Sequence, residues 1–125
     1  MRMAIELSEG KLSYRPRQLM RGSFSWSSLD QLKSLELRLF WYTQGKGTQD
    51  VTLVEMRRIN SPALMGRERF EFRVPDGPYT MHGKLISVLW ALELVSEGPN
   101  EVTRVDVVVS PWGEPVILRE ELHRF

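Results

Sequence analysis

The feature that most constrains this chain is a two-residue hydrophobic period, repeated in segment after segment. Leu35, Leu37, Leu39 and Trp41 alternate with Glu36, Arg38, Phe40 and Tyr42. Phe70, Phe72 and Val74 alternate with Arg69, Glu71 and Arg73. Val105, Val107 and Val109 alternate with Asp106, Val108 and Ser110. Successive side chains of a strand point to opposite faces, so each set marks a strand with one buried side. From Leu85 to Leu94 both alternating sets are largely apolar. That pattern predicts a central strand covered on one face and partly on the other. No segment carries a sustained helical period with caps. The best candidate is a single turn over 28–31, capped by Ser27 or Ser28.

The sequence predicts strands over 3–7, 18–26, 34–43, 50–59, 68–74, 84–94 and 102–110, with a short one near 115–119. Turn residues fall between them: Ser27-Ser28 with Asp30, Gly45 and Gly47, Asn60-Ser61-Pro62, Pro75-Asp76-Gly77-Pro78, and Gly98-Pro99-Asn100. Seven or eight short strands in about 110 residues fit an all-β fold, a two-sheet antiparallel, immunoglobulin-like β-sandwich. A closed barrel is the alternative. No repeat or linker divides the chain, so 1–125 reads as one domain.

Composition narrows the chemistry. There is no cysteine, which excludes disulfides, thiolate nucleophiles and Cys-ligated metal, and the only histidines are His82 and His123. No metal or cofactor is expected. The N-terminus lacks the apolar core of a signal peptide, and no apolar run approaches the ~20 residues of a membrane helix. The expectation is a cytoplasmic protein with no membrane insertion. The formal charge is +1 and the pI about 8.1, a balance that disfavours bulk nucleic-acid binding. That balance hides a bias, because Lys11, Arg15, Arg17 and Arg21 follow one another with no intervening acid. Guanidinium forks match carboxylate and phosphate, so Arg15, Arg17 and Arg21 are the candidate partner-binding residues, favouring an acidic partner.

Catalytic patterns are missing. Gln44-Gly45-Lys46-Gly47-Thr48 lacks phosphate-loop spacing and reads as a hairpin tip. Asp30, Asp50, Asp76, Asp106 and Glu120-Glu121 form no recognisable acid pair. His82, in a turn segment, has Ser61 and Ser87 as conceivable nucleophiles but no G-x-S-x-G elbow. Trp41 and Trp90 share faces with aliphatic neighbours and are expected in the core. Trp26 and Trp112 stand at strand ends; with Tyr42 they make an alternative, ligand-binding set, for example for carbohydrate.

Three segments resemble the arrestin-like sandwich family. Tyr14-Arg15-Pro16-Arg17-Gln18-Leu19-Met20-Arg21-Gly22-Ser23-Phe24 is similar to the family's second strand, and Leu35–Trp41 to the strand after it. Phe70-Glu71-Phe72-Arg73-Val74-Pro75, followed by Pro78-Tyr79 and then Gly83 through Trp90, resembles the family's strand, proline-bounded crossing and central strand. Tyr79-Thr80 stands where the family has Ser-Phe, and the chain has room for one sandwich where arrestins have two. The resemblance implies the fold; a complete sandwich pattern with no catalytic set points to a non-enzymatic adaptor or scaffold module of that type. A lone sandwich leaves edge strands available, so the module would dock a protein partner, or a second copy to form a homodimer, through an edge strand, with 3–7 and 11–21 as the candidate edges. Two other readings are a ligand-binding sandwich and a small enzyme whose pocket pairs His82 with an acid.

Overall fold

The structure is a computed structural model that describes residues 1–47 and 49–117. The described residues form ten strands: β1 (Arg2–Leu7), β2 (Ser13–Tyr14), β3 (Leu19–Ser27), β4 (Ser34–Gly45), β5 (Val51–Asn60), β6 (Met65–Arg73), β7 (Met81–His82), β8 (Ile86–Glu97), β9 (Glu101–Val109) and β10 (Val116–Ile117). A 3-10 turn, Ser8–Gly10, follows β1. No α-helix occurs among the described residues, so none is long and apolar enough to cross a membrane.

Two sheets face each other. The smaller has the order β1-β3-β6, antiparallel throughout. In the larger, β8 lies beside β4, and β4 beside β5. The other side of β8 is shared by β7 and β9, and β10 and β2 extend these in turn. The fold is thus an all-β sandwich rather than a closed barrel. All the long pairings are antiparallel. The β2–β9 and β10–β7 pairings are parallel and only two residues long.

The period-2 residues meet in the middle. Met20, Phe24, Phe70 and Phe72 of the smaller sheet pack against Leu35, Leu37, Leu39, Trp90, Leu92 and Leu94 of the larger. Ala91, on the opposite face of β8, is also buried, as a two-sided apolar strand requires. Trp90 is buried, and its indole N–H donates to the Pro78 carbonyl at 2.9 Å. Trp41, expected in the core, is only half-buried. Inner-face positions of β4 open progressively from Leu39 through Trp41 and Thr43 to Gly45, as the hairpin runs out past the core.

The other differences from expectation are local. Residues 28–31 form no helical turn. The Asp30 N–H donates to the Ser28 hydroxyl, and that hydroxyl donates back to the Asp30 carbonyl, so a side chain replaces the helical bond. His82 belongs to a strand, β7, not to a turn. The stretch around Gly47 is a hairpin tip as expected, with Gly47 at φ 99°, although Thr48 lies outside the described residues. His123 and Glu120-Glu121 also lie outside them, as does the end of the strand expected near 115–119.

Candidate functional site

The β5 sequence, Val-Thr-Leu-Val-Glu-Met-Arg-Arg-Ile-Asn, has strong strand formers on both faces but little to cover them. Among the described residues β5 pairs with β4 alone, so there its second edge is open along ten residues. An open edge offers unpaired N–H and C=O groups to any further strand. The register with β4 shifts between Leu39 and Phe40, which leaves Val54 without a partner as a bulge. On the outer face Val51, Leu53 and Met56 remain 64%, 51% and 49% exposed.

Behind this edge lies an aromatic groove. Phe40 and Tyr42 alternate out of the core on β4, opposite Leu53 and Val51. Their rings lie 5.9 Å apart, and the Arg104 guanidinium from β9 sits 5.5 Å from the Phe40 ring and 4.8 Å from that of Tyr42. Arg104 donates to Asp106 at 2.9 Å, to Glu93 at 3.5 Å and to the Tyr42 hydroxyl. Burial alone would lower its pKa, but Asp106, Tyr42 and Glu93 outweigh burial and hold it above the ordinary value. With its donors occupied, Arg104 acts as a fixed flat cover on the rings. The resulting groove is about 360 Å³; Phe40, Tyr42, Val51 and Leu53 line it, with Arg38, Arg104 and the polar residues Glu36, Gln49 and Glu93 around them.

An ion network closes the other end of the face. The Glu36 carboxylate accepts from Arg38 and, at 3.2 Å, from Arg58. Arg58 also donates to Asn60 at 2.9 Å. Burial pushes the Glu36 carboxyl up, the two guanidiniums pull it down, and the net direction is down. The site is therefore an apolar groove beside an open strand edge, with the charges that flank the groove already matched.

The three candidate arginines do not form one surface. Arg15 and Arg17 lie in the loop between β2 and β3, and Arg21 lies on the outer face of β3. Arg17 pairs with Asp76 at 3.1 Å and Arg21 with Glu71 at 2.7 Å. Arg15 lines a small cleft with Lys11 and Trp112, whereas Arg21 lines a broad hollow of about 1160 Å³ with Arg67 and Arg69. In that hollow Arg67 is held by Glu6 and Ser23. Of the two expected edges, only the strand at 3–7 is one, because among the described residues β1 pairs with β3 alone. The 11–21 region is not an edge: β2 covers the end of β9, and β3 is the middle strand of its sheet.

The aromatic set is also dispersed. Trp26 is 7% exposed, stacked on Phe24, and its N–H donates to the Ala63 carbonyl at 2.8 Å. It offers no face to a sugar. Tyr42 lies under Arg104, and Trp112 is 73% exposed beside Tyr79. No pocket joins the three among the described residues. His82 is exposed and has no acid partner among the described residues, where no metal-ligand cluster occurs either. The groove itself escaped the sequence reading. Its signal was the two aromatics, Phe40 and Tyr42, on the nominally polar face of a strand.

No protein family and no curated protein matches the sequence. Among solved structures, the fold is similar to that of Spo0M, the sporulation control protein from Bacillus subtilis, with a TM-score of 0.62. The identity is 16%, over 90% of this chain and 51% of Spo0M, so the chain spans about half the length of that protein. At this identity the likeness carries the fold alone.

Proposed function

We propose that this chain is a non-enzymatic, cytoplasmic docking module of arrestin-like type that takes a strand of a protein partner along β5. The observation that carries this is an open ten-residue edge with Val51, Leu53 and Met56 exposed beside the Phe40–Tyr42 groove. In strand addition, main-chain bonds supply affinity and pockets for alternate side chains supply specificity. This edge offers both within one surface. The resemblance of Phe70–Pro75 and Gly83–Trp90 to arrestin-like strands, and the likeness in fold to Spo0M, support the arrestin-like part of the reading.

The test is capture by the immobilised full chain from an extract of its own source. Leu53→Glu with Met56→Glu puts charge on the groove rim without touching the core. Arg15→Glu with Arg17→Glu alters the basic loop instead. The expected result is a protein recovered by wild type and the loop variant and lost by the β5 variant. Recovery by the β5 variant at wild-type level would overturn the reading.

A further inference from the structure

We infer that the strand β5 accepts is β5 of a second copy, giving a two-fold dimer centred on Met56. The inference rests on the docking reading and names its partner.

The argument comes from register and charge. With the bulged Val54 set aside, β5 has nine ladder positions: Val51, Thr52, Leu53, and Glu55 through Asn60. The middle one is Met56. An antiparallel self-pairing about Met56 uses every ladder position, and the bulge of each strand is skipped in the same way. The faces also agree, since a continuous sheet requires opposed residues to point to one side. Leu53 falls opposite Arg58, Thr52 opposite Ile59 and Val51 opposite Asn60.

Charge selects this centre. Glu55 falls opposite Arg57 of the second copy, twice by symmetry. Moving the axis one position sets Glu55 against itself or Arg57 against itself, and like charges directly opposed destabilise a sheet. Glu55 is the one acid of β5, is exposed, and its side chain has no hydrogen bond or ion pair among the described residues. Arg57 already pairs with Glu68 at 3.1 Å. Dimerisation would extend that pair into Glu68–Arg57–Glu55. Met56 would meet Met56 on the outer face, continuing the apolar row of Val51 and Leu53.

The absence of cysteine allows a direct test on the full chain. Met56→Cys places one thiol on the axis, opposite its own copy. Opposed residues in antiparallel strands stand ~4.5–5.5 Å apart at Cα, within disulfide range. Under mild oxidation Met56→Cys should give a covalent dimer, and Val102→Cys, exposed on β9, should not. In sedimentation, wild type should run at twice the chain mass. Glu55→Arg should weaken the dimer about tenfold, because two attractive pairs become repulsive. Glu55→Arg with Arg57→Glu should restore it, because the reciprocal pairs are re-formed. Equal cross-linking at positions 56 and 102, or monomeric wild type with no cross-link at 56, would overturn the inference. A monomer that still loses its captured protein on Leu53→Glu with Met56→Glu would leave the docking reading standing. A dimer with no other partner would do the reverse for a foreign partner strand.

Discussion

Trp26 separates two accounts of the aromatic residues, and one substitution decides between them. A ligand platform can be changed to Phe with little effect on stability. A core residue cannot. Trp26→Phe removes the N–H that reaches the Ala63 carbonyl at 2.8 Å. Losing a hydrogen bond of this kind costs about 0.5–1.5 kcal/mol. It also removes roughly 40 Å³ of ring, and at about 24 cal/mol per Å³ an unfilled space of that size costs about 1 kcal/mol. With the lost apolar transfer, the total is about 2–3 kcal/mol. At about 4 °C per kcal/mol for a chain of this size, Tm should fall by about 8–12 °C. Thermal unfolding followed by circular dichroism measures this. Trp112→Phe, at a residue 73% exposed, serves as the comparison and should shift ΔG by less than about 0.5 kcal/mol. If both variants unfold within a degree or two of wild type, Trp26 is not a packing residue and the reasoning fails.

Three further predictions follow the same logic. A Cβ on Gly66 would stand 2.6 Å from the Trp26 ring, so Gly66→Ala should cost about 1–3 kcal/mol by chemical denaturation, and much less in a Trp26→Phe background. The Glu36 carboxyl is held below its ordinary value when folded, so its contribution is present above the unfolded pKa of about 4.3 and is lost as pH falls through the lowered folded value. Glu36→Gln should therefore flatten the acid side of a stability–pH curve. Burial raises Tyr14 to about 12, so its contribution is complete below the unfolded pKa of about 10 and is lost as pH rises towards 12. Tyr14→Phe should remove that alkaline decline, read as Tm against pH between 9 and 12.

What the sequence could show was set by distance along the chain. A two-residue period is a local property, and it located the long strands and the inner faces of Leu35–Leu39 and Phe70–Phe72 within a few residues. β2 and β7 pair through two residues each, too short to carry any period. Trp26 and Trp112 look alike in sequence, each at a strand end. What separates them is Gly66 and the Ala63 carbonyl, about forty residues from Trp26. The groove joins Tyr42 to Arg104 across 62 positions. Likewise, the open edge of β5 follows from the order of strands in the sheet, and strand order leaves no mark on the strand itself. The basic run from Lys11 to Arg21 was legible as composition. Its pairing with Asp76 and Glu71 was not, because both acids lie on the far side of β4 and β5 in the chain.

The central claim is that the open side of β5 is a surface made to be covered. Hydrogen exchange along the chain tests it directly, because amides on an uncovered edge are open to water and amides in a ladder are not. The account predicts that exchange over 51–60 slows as protein concentration rises, while the exposed stretch of β9 near Val102 keeps one rate throughout. Exchange over 51–60 that stays fast and independent of concentration, and is unchanged when a captured partner is added, would contradict it.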